Sequence, residues 1–402
     1  MQLTNGDLFW TDQTKIKNIY PYITENISCD VLIIGGGIGG AITAYYLAKE
    51  NIDVVLVEKN IIGYGSTSAS TAILEYQVDI ELNKLEKMIG KSNAKKIYKL
   101  CYNAIDELEK ISLEVEGIND FGRKDTLYFS NNFMQKASMQ KESDARKEIG
   151  FHTNFIDKHD IVNLNSGILT KDSSAIINPY NFTQELIAYL NNFKNVRVFE
   201  NTPVISVKGR YDDVECITNN KFKIKANRAI FCSGYETLKY VPNLPVELYK
   251  TFTIVSKPNR QLKRINPNFT ARDSVEPYHY IRFTDDSRLV LGGEDIKITS
   301  KILDKSNLET IASSKYKKLQ GTMQKLFNNI EDLEVEYEFN GTFGNTKDTL
   351  PIIDEIENMP NCFCNLGFGA NGILYNVIGG NMLKNAVKGY FSKDMNMLKI
   401  DR

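Results

Sequence analysis

The chain has 402 residues, of which 42% are hydrophobic and 25% charged, with a formal net charge of −1. These are the values of a soluble globular protein long enough for two domains, and they exclude a disordered chain. They also provide no global field toward nucleic acid or an anionic membrane, so neither is expected as a partner.

Six cysteines lie at 29, 101, 216, 232, 362 and 364 without C-x-x-C spacing, and there are three histidines. No metal site is expected from that set. The first ten residues, MQLTNGDLFW, have neither a basic region nor an apolar stretch, so no signal peptide is read there and a reducing, cytoplasmic setting is expected.

Residues 1–28, with Phe9, Trp10, Tyr20 and Tyr22, read as an extended arm packed on the body. The apolar run Val31-Leu32-Ile33-Ile34 then reads as a buried parallel strand, followed by Gly35, Gly37 and Gly40 in G-x-G-x-x-G spacing. A helical pattern and a second apolar run, Val54 to Val57, end on Glu58. Strand, glycine turn, helix, strand and acid in that order form the dinucleotide-binding fingerprint. Gly35 permits the tight turn, Gly37 lets backbone approach a pyrophosphate, and Gly40 lets the helix pack on the strand. Glu58, 58 − 40 = 18 positions past the last glycine, suits the diol of an unphosphorylated adenosine ribose. The glycines and nearby charges exclude a membrane span here.

Ser66 to Ala72 is a run of seven small residues, five of them hydroxylated, read as backbone packed against something polar; a flexible linker is the alternative. Helical stripes follow at 82–89 and, with Ser92 as expected N-cap, at 97–111. A strand is expected at 125–130, a polar helix at 133–149, and a helix starting near Asn181 after Pro179. Short strands are read at 196–199, 204–207, 214–218, 222–225 and 229–232, the last stopping at Ser233-Gly234. From 249 to 300 the strands form an antiparallel meander turning at Asp285-Asp286-Ser287. A helix at about 305–329 and an alternating strand at 334–339 come next. A final strand, Cys362 to Leu366, meets a second glycine turn, Gly367 to Gly372, which opens a helix from Ile373 to about Lys388.

Together these segments resemble the FAD-dependent D-amino-acid-oxidase superfamily, in its glycine-, sarcosine- and glutamylputrescine-oxidase-like branch. The likeness is carried by the fingerprint ending in Glu58-Lys59, by Gly65 to Ser70, by Cys232-Ser233-Gly234 and by Asp286 to Gly293. Lys347 to Pro351 and Gly367 to Gly372 complete it. The resemblance implies an α/β, two-domain fold: a Rossmann-like FAD-binding domain (1–75, 150–236, 340–402) with an inserted antiparallel-sheet substrate domain (76–149, 237–339). It implies non-covalent FAD lined by Gly35, Gly37, Ile38, Gly39, Gly40, Glu58, Lys59, Ser66, Thr67, Ala69, Ser70, Val204 and Gly234. Gly369, Ala370, Asn371, Gly372 and Ile373 complete that lining, with the second helix N-terminus at the flavin's pyrimidine edge, where reduction places negative charge.

The chain departs from its resemblance in two places. Covalently flavinylated members carry a cysteine where Gly341 stands, and sarcosine-type oxidases carry an oxygen-assisting lysine where Leu374 stands. Dissociable FAD is therefore expected, with either O2 or another electron acceptor. Arg282 is the candidate clamp for a substrate carboxylate, its alternative being a surface ion pair. His279 is the candidate base, or else a structural histidine. Tyr280 and Tyr375 are candidate pocket walls, or else core. The expected reaction is oxidation of a C–N bond of a small amine or amino acid by hydride transfer to flavin N5, giving an imine that hydrolyses. A hydroxy-acid or polyol-phosphate dehydrogenase and a non-catalytic FAD redox subunit are the alternatives. The sequence does not set the oligomeric state.

Overall fold

The computed structural model describes residues 3–299 and 305–402, so the 300–304 part of the expected 237–339 insert lies outside the described residues. The two apolar runs form the adjacent parallel strands Ile27–Ile34 and Val54–Val57. Val54–Val57 is buried throughout, as a strand covered on both faces requires. Val196–Phe199 pairs beyond it, and Lys223–Phe231 then Cys362–Leu366 pair on the other side, all parallel. Ile352–Glu355 closes that edge antiparallel, and the hairpin of Val204–Gly209 and Val214–Thr218 hangs from Lys223–Phe231, making eight strands.

Alternation assigns the two faces. Val31, Ile33, Val54 and Leu56 pack against helices Ile38–Lys49, Lys91–Glu114, Pro179–Leu190 and Gly372–Ala386. Leu32, Ile34, Val55 and Val57 pack on the hairpin side with Val214 and Cys216. The chain leaves Ile27–Ile34 toward Val54–Val57 but returns on the opposite side at Lys223–Phe231. Strand order therefore reverses between Ile27–Ile34 and Lys223–Phe231, and open α/β sheets bind ligands beyond the carboxyl ends of strands at such a point.

Among the described residues the second sheet has ten strands. Their order is Thr4–Gly6, Val335–Asn345, Glu247–Ser256, Leu289–Lys297, Tyr280–Phe283, Phe269–Asp273, Gly122–Ser130, Ser166–Ile176 and Ile73–Glu75, with Thr153–Ile156 on Ser166–Ile176. All pairs are antiparallel except Phe269–Asp273 with Gly122–Ser130. Helix Lys305–Leu326 covers one face through Tyr316, Leu319 and Met323.

Several local expectations shift. Segments 222–225 and 229–232 are one strand, because Lys223–Phe231 pairs continuously along Ile27–Ile34 apart from Asn227. Helix Lys91–Glu114 is capped by Gly90 at φ +84°, not by Ser92. The helix expected to start near Asn181 starts at Pro179, with Asn178 as its cap accepting from the N–H groups of Tyr180 and Asn181 at 3.1 and 3.0 Å. Strands Thr4–Gly6, Ile73–Glu75, Thr153–Ile156 and Ser166–Ile176 fall in stretches expected for the cofactor domain, yet they pair in the ten-stranded sheet. Among the described residues, no helix is long and apolar enough to cross a membrane.

Candidate active site

The carboxyl ends of the parallel strands open on a cavity of ≈ 380 Å³ that is also lined by the ten-stranded sheet. At its first end the fingerprint is built by close backbone contact. Gly35 turns at φ +115°, and a Cβ on Gly40 would lie 1.9 Å from the Gly35 carbonyl oxygen. Helix Ile38–Lys49 starts at Gly37, and the Ile38 N–H donates to Thr67 Oγ1 at 3.1 Å. The Glu58 carboxylate accepts the N–H groups of Gly36 at 2.8 Å and Asn60 at 2.9 Å. Burial raises its pKa, against the pull of those two hydrogen bonds and of Lys59. Lys59 and Lys239, also in the lining, both pair with Glu236.

The hydroxylated run is an ordered wall. It forms the short turn Ser66–Ala69, and Trp10 Nε1 donates to the Ser70 carbonyl at 2.6 Å. At the other end, Asn371 opens helix Gly372–Ala386, and its Nδ2 donates to the Glu75 and Gln77 carbonyls at 3.0 and 2.6 Å. The Ala370 N–H donates to Asp79 Oδ2 at 2.9 Å. All the residues expected to line the cofactor do line this cavity except Gly40, which lies behind it in the strand–helix contact.

Two helix N-termini, at Gly37 and Asn371, thus face one cavity, each with first-turn N–H groups lacking intrahelical acceptors. A Cβ at Gly37 would meet only Thr67 Oγ1, at 3.0 Å, so backbone there is open to a phosphate. The donor set fits a long dinucleotide whose far end gains negative charge. A family model described as FAD dependent oxidoreductase matches residues 30–385.

The chain belongs to that family.

Its members are FAD-binding enzymes, and this protein is an FAD-dependent oxidoreductase. The putative Rieske 2Fe-2S iron-sulfur protein YhfW of Bacillus subtilis (strain 168) is 24% identical over 386 residues, covering 95% of this chain and 73% of that protein. The gamma-glutamylputrescine oxidoreductase of Escherichia coli (strain K12) is 23% identical over 380 residues, 91% of this chain and 85% of that protein. Glycine oxidase from Geobacillus kaustophilus has the same fold, with a TM-score of 0.77 at 18% identity over 93% of this chain and 99% of that one.

The side chains expected to meet the substrate lie differently from expectation. Arg282 does not line the cavity. Its Nη1 donates to the carbonyls of Thr71, Ala72 and Ile177 at 2.9, 3.0 and 2.8 Å, with the guanidinium 5.0 Å from the Trp10 ring. It is neither a clamp in the cavity nor a surface ion pair: its Nη1 is held by three carbonyls and its Nε is buried without a partner among the described residues. Replacing Arg282 with methionine is expected to cost about 3 kcal/mol by leaving those carbonyls unpaired, read by thermal unfolding, with KM for substrate unchanged.

His279 also lies outside the lining. Its Nδ1 is 2.7 Å from Asp273 Oδ2, and its Nε2 is buried without a hydrogen-bond partner. Burial lowers its pKa, but Asp273, Glu294 and Asp295 outweigh burial and raise it overall, which disfavours a base. Tyr280 does line the cavity, its hydroxyl 2.5 Å from Thr251 Oγ1. Tyr375 and Leu374 are core.

Sequence reasoning missed several polar groups at the Asn371 end, among them Glu75, Gln77, Asp79, Thr251, Arg272, Tyr278 and Asp295. A legible signal existed for Asp295. It follows an apolar strand run, Leu289-Val290-Leu291, across Gly292 and Gly293, and a carboxylate in such a strand needs a reason.

Proposed function

We propose that the cavity holds FAD non-covalently, adenosine toward Glu58 and the flavin toward Asn371, and that the enzyme oxidises a C–N bond of a small amine or amino acid. The observation that carries this reading is the joining, in one cavity, of the fingerprint, the second helix N-terminus and a cluster of carboxylates and hydroxyls. FAD would supply a two-electron acceptor for the hydride on the carbon next to nitrogen. The chain's own part is to hold and orient. The open backbone at Gly37, where helix Ile38–Lys49 starts, would face the pyrophosphate, and Asn371 ties the second turn to Glu75 and Gln77. Asp79, Tyr280 and Thr251 offer hydrogen-bond acceptors to the substrate. A relative named gamma-glutamylputrescine oxidoreductase supports a nitrogen-bearing substrate.

Dissociable FAD is supported by two observations. Gly341 lies against Ala69 in the lining, and the lining thiol, Cys232, has its pKa pushed up to about 12 by burial, which makes it a poor nucleophile. An acceptor other than O2 is supported by the burial of Leu374 in the core where sarcosine-type relatives place a lysine. Turnover of candidate amines with an artificial acceptor tests the reaction: one carbonyl compound and one equivalent of ammonia or amine should appear per two electrons. Carbonyl formation from hydroxy acids alone would overturn it.

A further inference from the structure

The substrate end of the cavity carries more negative than positive charge. Glu75, Asp79 and Asp295 line it with Arg272, whereas the lining lysines lie at the Glu58 end, paired with Glu236. Three of these four groups are already engaged. Glu75 accepts from Gln77 Nε2 at 2.7 Å and the Thr270 hydroxyl at 2.8 Å; Asp79 accepts from the Tyr278 hydroxyl at 2.8 Å and the Ala370 N–H at 2.9 Å. Arg272 lies between the rings of Tyr128 and Tyr278, donates to the Val78 carbonyl at 3.0 Å, and has its charge faced by Asp79 and Glu75. Asp295 differs from the other two acids. Thr251 hydrogen-bonds its carboxyl, but among the described residues Oδ1 is buried without a partner, as is the Nε of Arg272. An orphaned carboxylate oxygen on a side chain that lines a cavity is costly unless a ligand completes it.

We propose that Asp295 receives the substrate as an ammonium ion at Oδ1 and accepts one of its N–H protons, so that the substrate is a cationic amine and not a zwitterionic amino acid. This deepens the amine-oxidising reading and rests on it. In the step one N–H bond breaks and one O–H bond forms at Oδ1. The electron pair stays on nitrogen, the proton stays on Asp295, and no oxidant takes part. The free amine then has the lone pair that loss of hydride from its α-carbon requires.

The surroundings suit that exchange. Burial raises the Asp295 carboxyl and Asp79 raises it further, while Thr251, His279 and Lys315 pull it down, leaving it at about 7. Tyr249, Tyr278 and Tyr280 are the other titratable groups that feel its charge. Near neutral pH the group serves as carboxylate for binding and as acid for holding the proton. A zwitterion would need a cation for its carboxylate, and the charge of Arg272 is already faced by Asp79 and Glu75, although its Nε has no partner among the described residues.

The test uses the FAD-loaded protein and two probes that cannot be oxidised, because their nitrogen-bearing carbon has no hydrogen: tert-butylammonium and α-aminoisobutyrate. Binding is followed by calorimetry or by perturbation of the flavin spectrum. Wild type should bind tert-butylammonium more tightly than α-aminoisobutyrate, with affinity rising about tenfold per pH unit below about 7 and levelling above it. Asp295→Asn should weaken tert-butylammonium binding at least about tenfold and remove the pH dependence. Unchanged affinity in Asp295→Asn, or tighter binding of α-aminoisobutyrate, overturns the proposal. FAD content checks that the variant folds; should it not fold, the wild-type pH profile and the probe pair still decide. Failure of the amine-oxidising reading shows separately, as oxidisable amines that bind without yielding any carbonyl product.

Discussion

Gly40→Ala is expected to leave less than about a tenth of the wild-type FAD content and to cost about 3 kcal/mol of stability, the scale of forced overpacking against backbone. The added Cβ would lie 1.9 Å from the Gly35 carbonyl oxygen, and neither group can rotate away. Helix Ile38–Lys49 would have to lift from strand Ile27–Ile34. That movement pulls the Ile38 N–H from Thr67 and shifts Gly36, whose N–H holds Glu58. Gly39→Ala is the matched control. Its Cβ would meet the Asn376 side-chain amide at 2.7 Å, a group able to turn, so a milder loss is expected. Flavin per chain and thermal unfolding read both variants; equal FAD retention in the two would refute the packing argument.

Arg146→Met is expected to destabilise the protein by about 3–5 kcal/mol, the cost of stranding a buried charge. Arg146 and Glu142 are both 1% exposed, and Arg146 Nε donates to Glu142 Oε1 at 2.8 Å. Glu142 also accepts the N–H groups of Leu82 at 2.7 Å and Asn83 at 3.1 Å, so it caps the next helix in space. Arg146 Nη1 reaches Tyr76 at 3.0 Å and Gln77 Oε1 at 2.6 Å, and Gln77 lines the cavity. Loss of Arg146 therefore frees a cavity wall as well as a charge. Denaturant unfolding should show the paired variant Arg146→Met with Glu142→Met to be less destabilised than the sum of the two single variants. Strict additivity would show that the pair is not coupled.

These two sites mark what the sequence discloses and what it withholds. The fingerprint is legible because each of its tasks demands a residue type at a fixed spacing: Gly35 for a positive φ, Gly40 for contact, Glu58 at a strand end. The second turn at Gly367–Gly372 is legible on the same ground. Glu142 and Arg146 are not, because a buried ion pair four residues apart on a polar helix has the composition of a solvated face. Strand Ser166–Ile176 is hidden too: its residues alternate weakly, and partners at 122–130 and 153–156 decide its pairing. Arg282 shows the limit of strand-level inference. Tyr280 sits opposite Arg272 in the sheet, and both line the cavity, whereas Arg282, two residues further along the strand, lies beneath the hydroxylated turn. Which arginine reaches the cavity is set by where that turn crosses the sheet, a non-local fact.

The most direct test of the account is the visible spectrum of the FAD-loaded protein, without air, before and after addition of a small cationic amine. The account predicts loss of the oxidised flavin colour in proportion to the amine consumed, and release of all flavin when the protein is then denatured. A flavin that stays oxidised with every amine but is bleached by a hydroxy acid would contradict it.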